Sequence, residues 1–325
     1  MTYSNTLHGY WFLGITVILL AINNFIIPIS GTYTNLTCLF LILTIGISHG
    51  SLDNLKGNRI LKLYKIKNKF IFYLFYISLA ILLTTLWLLF PSFTLITFLI
   101  VASYHFGKED SQLINFAENL VENFRDFKRN KKLEAIFYLI KGSIIIIAPL
   151  SFHFEETLNI FKILFIDNID FLNTLIYFYE KEIFLITLWI IAFISLSFFI
   201  ETACIITLNI YLPPLVAFTV YFCFLHSIRH LASLIKEIDV DRMKKKYKRQ
   251  FEKTHLEISM EGIEIFLKKA FPLTLVTAIL FIVTVYFLTN YYVLDDAILK
   301  VIFIGLASLT FPHILLEYLL EKNEK

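Results

Sequence analysis

Nine stretches of this chain, near 10–30, 34–50, 69–90, 92–107, 135–153, 182–208, 213–235, 270–290 and 296–320, are apolar over about the 20 residues that a helix needs to cross a bilayer. No other feature limits the fold so strongly. In hydrocarbon every backbone N–H and C=O must be bonded within the protein, and unbroken apolar runs of this length satisfy that as helices. The composition agrees: 58% of the 325 residues are hydrophobic, 17% are aromatic, and the mean hydropathy is +0.72, outside the range of soluble globular domains. The expected fold is therefore all-α, a polytopic transmembrane helical bundle of about eight to ten spans. With no repeat, linker or low-complexity tract, residues 1–325 read as a single membrane domain. A net charge of +3 offers no basis for nucleic-acid binding. Cys38, Cys204 and Cys223 lie singly in apolar runs, so neither a disulfide framework nor a thiolate metal site is expected. The N-terminal apolar stretch has no basic leader and no small-residue cleavage site, so the first helix is expected to stay.

Sidedness follows from charge. Lys and Arg cluster in the loops 53–69, 108–134 and 236–269, for example Lys56, Arg59, Lys62, Lys65, Lys67 and Lys69 in the first. By the positive-inside rule all three loops are cytoplasmic. Three crossings between 108–134 and 236–269 would violate that parity. The simplest repair is that 157–180 crosses or re-enters despite Asp167 and Asp170, giving about ten spans with both termini cytoplasmic. The chain is then a multi-pass protein of the cell's inner membrane.

Five of the eight histidines lie in or at the ends of apolar helices: His49, His105, His226, His230 and His313. His153 closes another helix, while His8 and His255 lie in polar segments. Polar groups are costly in hydrocarbon and usually functional there. With the sidedness above, His49, His105, His226 and His230 reach the cytoplasmic leaflet, and His313 approaches the same layer. His226 and His230, four apart, share one helix face, so one ion can take both. An all-imidazole set suits iron, zinc or copper, with His49 and His105 as the further ligands. The competing reading of each imidazole alone is a hydrogen-bonded packing residue. Asp53 follows His49 by four residues and Asp110 follows His105 by five, within reach to accept the other ring N–H of a bound histidine. A carboxylate facing water at a helix end needs no such role, and spacing does not choose. Arg229 snorkels to the headgroups or serves the site, and Glu317, one turn beyond His313, reads as facing water. Tyr104, Phe106, Tyr221 and Phe222 lie near the proposed ligands as candidates to line a substrate tunnel.

The segments SHGSLD (48–53), YHFGKED (104–110), APLSFHFEE (148–156), FCFLHSIRHL (222–231) and FPH (311–313) resemble, in the same order, the Brp/Blh family of bacterial and archaeal beta-carotene 15,15'-dioxygenases. The resemblance implies Fe(II) held by His49, His105, His226 and His230, with beta-carotene and O2 as substrates. It further implies two all-trans-retinal as products, and a microbial rhodopsin as the natural consumer. The chain has Phe154 and Lys141 where that pattern often has proline and arginine. Two other classes use intramembrane histidines: di-iron fatty-acid desaturases or hydroxylases, and metal or proton transporters. The first carries several HxxxH and HxxHH clusters, whereas this chain has one HxxxH and no HxxHH. The second needs polar residues along a whole path, and here they gather in one leaflet.

Overall fold

The computed structural model describes residues 5–112, 131–195, 199–247 and 259–323, and every regular element among them is helical. In chain order the helices are α1 (Asn5–Phe25), α2 (Thr32–Leu41), α3 (Asp53–Leu63), α4 (Phe70–Leu89), α5 (Pro91–Gln112), α6 (Lys131–Gly142), α7 (Ile144–Phe152), α8 (Phe154–Ile163), α9 (Ile169–Glu180), α10 (Ile183–Ile194), α11 (Phe199–Tyr211), α12 (Pro214–Val220), α13 (Ile228–Tyr247), α14 (Met260–Leu288) and α15 (Leu294–Asn323). Two wide π turns interrupt this regularity, Ile42–Gly46 after α2 and Tyr221–Ser227 between α12 and α13. Among the described residues, six continuous segments are long and apolar enough to cross a membrane: His8–Phe25, Phe70–Leu89, Lys131–Phe152, Pro214–Val240, Met260–Leu288 and Leu294–Asn323. This is a multi-pass membrane protein.

Local chemistry sets several helix starts. Asn168 and Ser259 accept from the backbone N–H of Phe171 and Gly262, capping α9 and α14, and Pro91 and Pro214 open α5 and α12 where a missing N–H costs nothing. Burial then sorts centre from rim. In the apolar window of 214–240, 78% of residues are buried, against 11% in α4 and 17% in α14. The α12–α13 unit is therefore the axis of the bundle, while α4 and α14 turn Phe75, Ile81, Val276 and Leu280 outward as a lipid-facing surface.

Helix α1 marks the two ends of the bundle. His8 accepts from the Arg229 guanidinium at one end, and Asn23 donates to the Tyr211 carbonyl at the other. The first is the polar end and the second the far end. Glu201, near the start of α11, pairs with Arg229 at the polar end, so α11 runs from the polar end to the far end, in the same direction as α1. Phe184, at the start of α10, packs on Phe154 beyond the end of α7, with ring centroids 6.4 Å apart. Helix α10 therefore runs the opposite way to α11. The stretch 182–208, expected as one span, is two short antiparallel helices. Its Glu201 must meet Arg229, and the chain turns back to deliver it.

The expectation for 157–180 also changes. Helices α8 and α9 have 10 and 12 residues, about 15 and 18 Å long, too short to cross. Phe154 at the start of α8 stacks on Tyr179 at the end of α9, 4.2 Å between centroids and 9° between planes. The pair leaves the far end and returns to it, roofing the bundle. Among the described residues from 131 to 236, the α6–α7 unit, α10, α11 and the α12–α13 unit run in alternating directions, an even number of runs reached by this different route.

Helices α5 and α6 cross with their backbones touching. A Cβ on Gly107 would lie 1.8 Å from the Tyr138 carbonyl oxygen, and one on Gly142 would lie 1.8 Å from that of Ser103. Small residues are what permit such contact between membrane helices. Gly107→Ala or Gly142→Ala is expected to cost about 3 kcal/mol or more, since neither backbone can give way without parting the helices. Thermal unfolding in detergent should show it, with Gly14→Ala, whose Cβ would meet nothing within 4 Å, leaving the midpoint unchanged.

Candidate metal centre

Helix α5 carries His105, the π turn and α13 carry His226 and His230, and α15 carries His313. All four are buried at the polar end. The ring of His105 stands 5.4 Å from that of His226 and 5.5 Å from that of His313, and His313 stands 5.6 Å from His230. Four imidazoles from three parts of the chain thus form one group.

Behind the rings stand carboxylates. Asp110 lies 3.1 Å from His226 Nδ1, Glu109 lies 3.2 Å from His230 Nδ1, and both oxygens of Asp53 lie 2.9 Å from His313 Nδ1. An ionised carboxylate only accepts, so each Nδ1 carries the hydrogen and each Nε2 keeps its lone pair. The carboxylates are themselves held: Tyr221 donates to Asp110 (2.7 Å) and Tyr76 to Asp53 (3.0 Å). Glu317 sits among the rings, with Oε1 3.6 Å from Nε2 of both His230 and His313 and Oε2 3.8 Å from His105 Nδ1. One ligand atom from each of His105, His313 and Glu317 fits within a 4.8 Å span. Lys56 on α3 donates to Glu317 (2.7 Å). Burial pulls its ammonium down, but Glu317 and Asp53 outweigh burial and hold it above the ordinary lysine range.

A divalent ion fits this arrangement. His105 Nε2 is buried and makes no hydrogen bond, a costly state that a bound cation relieves. Imidazole nitrogens backed by carboxylates are the donor set of histidine-bound transition metals.

Around the group runs a second buried network. Arg229, 1% exposed, reaches both carboxylate oxygens of Glu201, His8 Nδ1 (3.1 Å) and the Asp110 carbonyl (3.3 Å). Lys141 donates to the same carbonyl (3.1 Å). Arg229 therefore does not snorkel, and His8, read as part of a polar segment, is buried against it.

Other residues singled out from the sequence fall as follows. The His49 side chain lies outside the described ones. Its turn does adjoin the group, since a Cβ on Gly50 would lie 3.8 Å from His313 Nδ1. Asp53 holds His313, and Asp110 holds His226 rather than His105; both partners come from facing helices. Phe106 and Phe222 pack on His226, with centroids 4.7 and 5.9 Å away, while Tyr221 serves Asp110. Tyr104 is instead 37% exposed, edge-on to Tyr138. His255, most of the loop 108–134 and the middle of 236–269 lie outside the described residues. Glu109, Glu317 and Tyr76 were not singled out as site residues. The spacing from His105 to Glu109 and from His313 to Glu317, four residues each, was the available signal for two of them.

The family model of beta-carotene 15,15'-dioxygenase matches residues 40–321. A curated protein of uncultured marine bacterium 66A03, named beta-carotene 15,15'-dioxygenase, is 26% identical over 283 residues, covering 86% of this chain and 90% of its own length. No solved structure matches.

Proposed function

Because the chain belongs to the beta-carotene 15,15'-dioxygenase family, we propose that it cleaves beta-carotene at the central double bond with O2, giving two all-trans-retinal. The observation that carries the reading is the group of buried imidazoles, backed by carboxylates and facing an apolar interior. The residues that would hold iron(II) are His49, His105, His226 and His230, and His313 joins them. Bound iron(II) would supply the one-electron chemistry by which O2 attacks an alkene. The chain's own residues do the rest. Asp110, Glu109 and Asp53 keep the hydrogen on Nδ1 and fix each ring. Phe106 and Phe222 cover His226 with apolar surface and keep water from it. Substrate and O2 together hold every atom of two retinals, so no outside reductant is required. A lipid-soluble polyene reaches such a site laterally through the bilayer.

The polar end faces the cytoplasm of the inner membrane in this reading, which the Lys and Arg of 53–69 favour. A microbial rhodopsin is the natural consumer of the product. Purified protein in detergent, given Fe(II), O2 and beta-carotene, is expected to make retinal as its main product, and anaerobic or chelated samples should not. Absence of polyene loss under any iron condition would overturn the reading, and bound iron near two per chain would point to a di-iron desaturase.

A further inference from the structure

We propose that an apolar cavity behind the Phe106 and Phe222 rings that pack on His226 takes one half of beta-carotene, with Trp87 as its floor, and that its depth selects the bond cut; this rests on the reading above. The cavity takes in about 890 Å³ of atom-free space, its open mouth included. Its walls include Phe98, Ala102, Phe161, Phe303 and Leu306, with Thr157 and Thr310 the polar side chains among its lining. Its near end is formed by Phe106 and Phe222, the two rings that pack on His226. The rings of Phe218, Phe222 and His226 form one stacked column, 5.4 and 5.9 Å between centroids and 9° and 16° between planes, and the first two line the cavity.

It ends at the far end of the bundle. Trp87, 1% exposed, donates its indole N–H to the Leu164 carbonyl (3.0 Å) and stands edge-on to Phe98. A hydrogen-bonded indole cannot swing aside freely, so the floor is fixed. Along α5 the lining runs from Leu95 to Phe106, eleven residues and about 16 Å. Beta-carotene is about as long as the hydrocarbon core is thick, about 30 Å, so half of it is about 15 Å. With its ring against Trp87, the central bond lies at the Phe106 and Phe222 end, next to the ring of His226.

The other half also has a place. Along α15 the cavity takes residues from Phe303 to Thr310, and a separate groove of about 590 Å³ takes those from Pro312 to Leu319. His313 follows Pro312, the first of the groove's residues on α15, in sequence. Phe72, Phe75 and Tyr76 complete the groove, and Phe75 is 52% exposed, so this side opens to lipid.

The test is product length. Wild type is expected to give retinal alone, whereas Trp87→Ala lets the ring sink deeper and yields unequal apocarotenals, their share rising about ten-fold for each 1.4 kcal/mol of lost discrimination between adjacent bonds. Leu95→Ala, at the same end, is the second variant should Trp87→Ala fold poorly. Retinal as sole product from both, with iron retained, would overturn the ruler. A measurement without catalysis separates this from failure of the functional reading: all-trans-retinol added to anaerobic protein should accept excitation energy from tryptophan, and Ala102→Phe should abolish the transfer. Retinol transfer without any polyene cleavage would overturn the functional reading alone. No transfer in wild type would overturn the cavity assignment.

Discussion

Alanine at His105, His226, His230 or His313 is expected to remove bound iron and cut retinal formation by more than about 100-fold, the upper range seen when even a residue behind a ligand is lost. The four rings are one group, so each variant opens the same centre. Asp110→Asn should act more mildly, by about 10- to 100-fold, because the amide no longer fixes the hydrogen on His226 Nδ1. His255→Ala should change neither quantity. Iron per chain and retinal yield are the two measurements. Iron retained in the His226→Ala, His230→Ala double variant would sink the assignment.

The second large effect concerns stability. Removing Glu201 strands the Arg229 guanidinium inside the bundle, and removing one partner of a buried pair costs about 3–5 kcal/mol. Glu201→Ala should therefore lower the unfolding midpoint in detergent more than most single changes do. Arg229→Met strands Glu201 in turn and also frees His8 and the Asp110 carbonyl, beside His226. The double variant Glu201→Gln, Arg229→Met should recover part of the loss, because no unpaired charge remains. Equal or additive losses would mean that the pair is not coupled.

That pair also shows where the sequence stopped being readable. Spans such as α4 and α14 were legible because lipid dictates their length and polarity residue by residue. The break in 182–208 was not, because an acidic residue inside an apolar run looks like a tolerated exception until its partner, 28 positions later, is known. The site divided in the same way. His226 and His230 were visible as a pair because one helix face holds both. For the carboxylates, spacing could not choose between a histidine in their own motif and water, because facing helices bring the partners: Asp53 from α3 serves His313 on α15, and Asp110 on α5 serves His226. Glu317 was read as facing water because spacing locates a residue on its helix but not the helix among its neighbours. The family resemblance supplied the chemistry that no spacing contains.

The two π turns carry a consequence of their own. Ile42–Gly46 and Tyr221–Ser227 lie against each other, with Ser227 Oγ 3.4 Å from the Gly46 carbonyl and no room for a Cβ on Gly46 beneath Phe222. A π turn holds one residue more than the α turn it replaces. Whatever lies after it is rotated, relative to whatever lies before it, by the angle of that single residue, about 100°. The face that Phe218 presents and the face that Arg229 and His230 present are thus set by a count of residues as well as by their identities. Evolution at this place is constrained in length: substitutions can be absorbed locally, but one insertion or deletion between Val220 and Ile228 would re-aim the whole lower half of the axis.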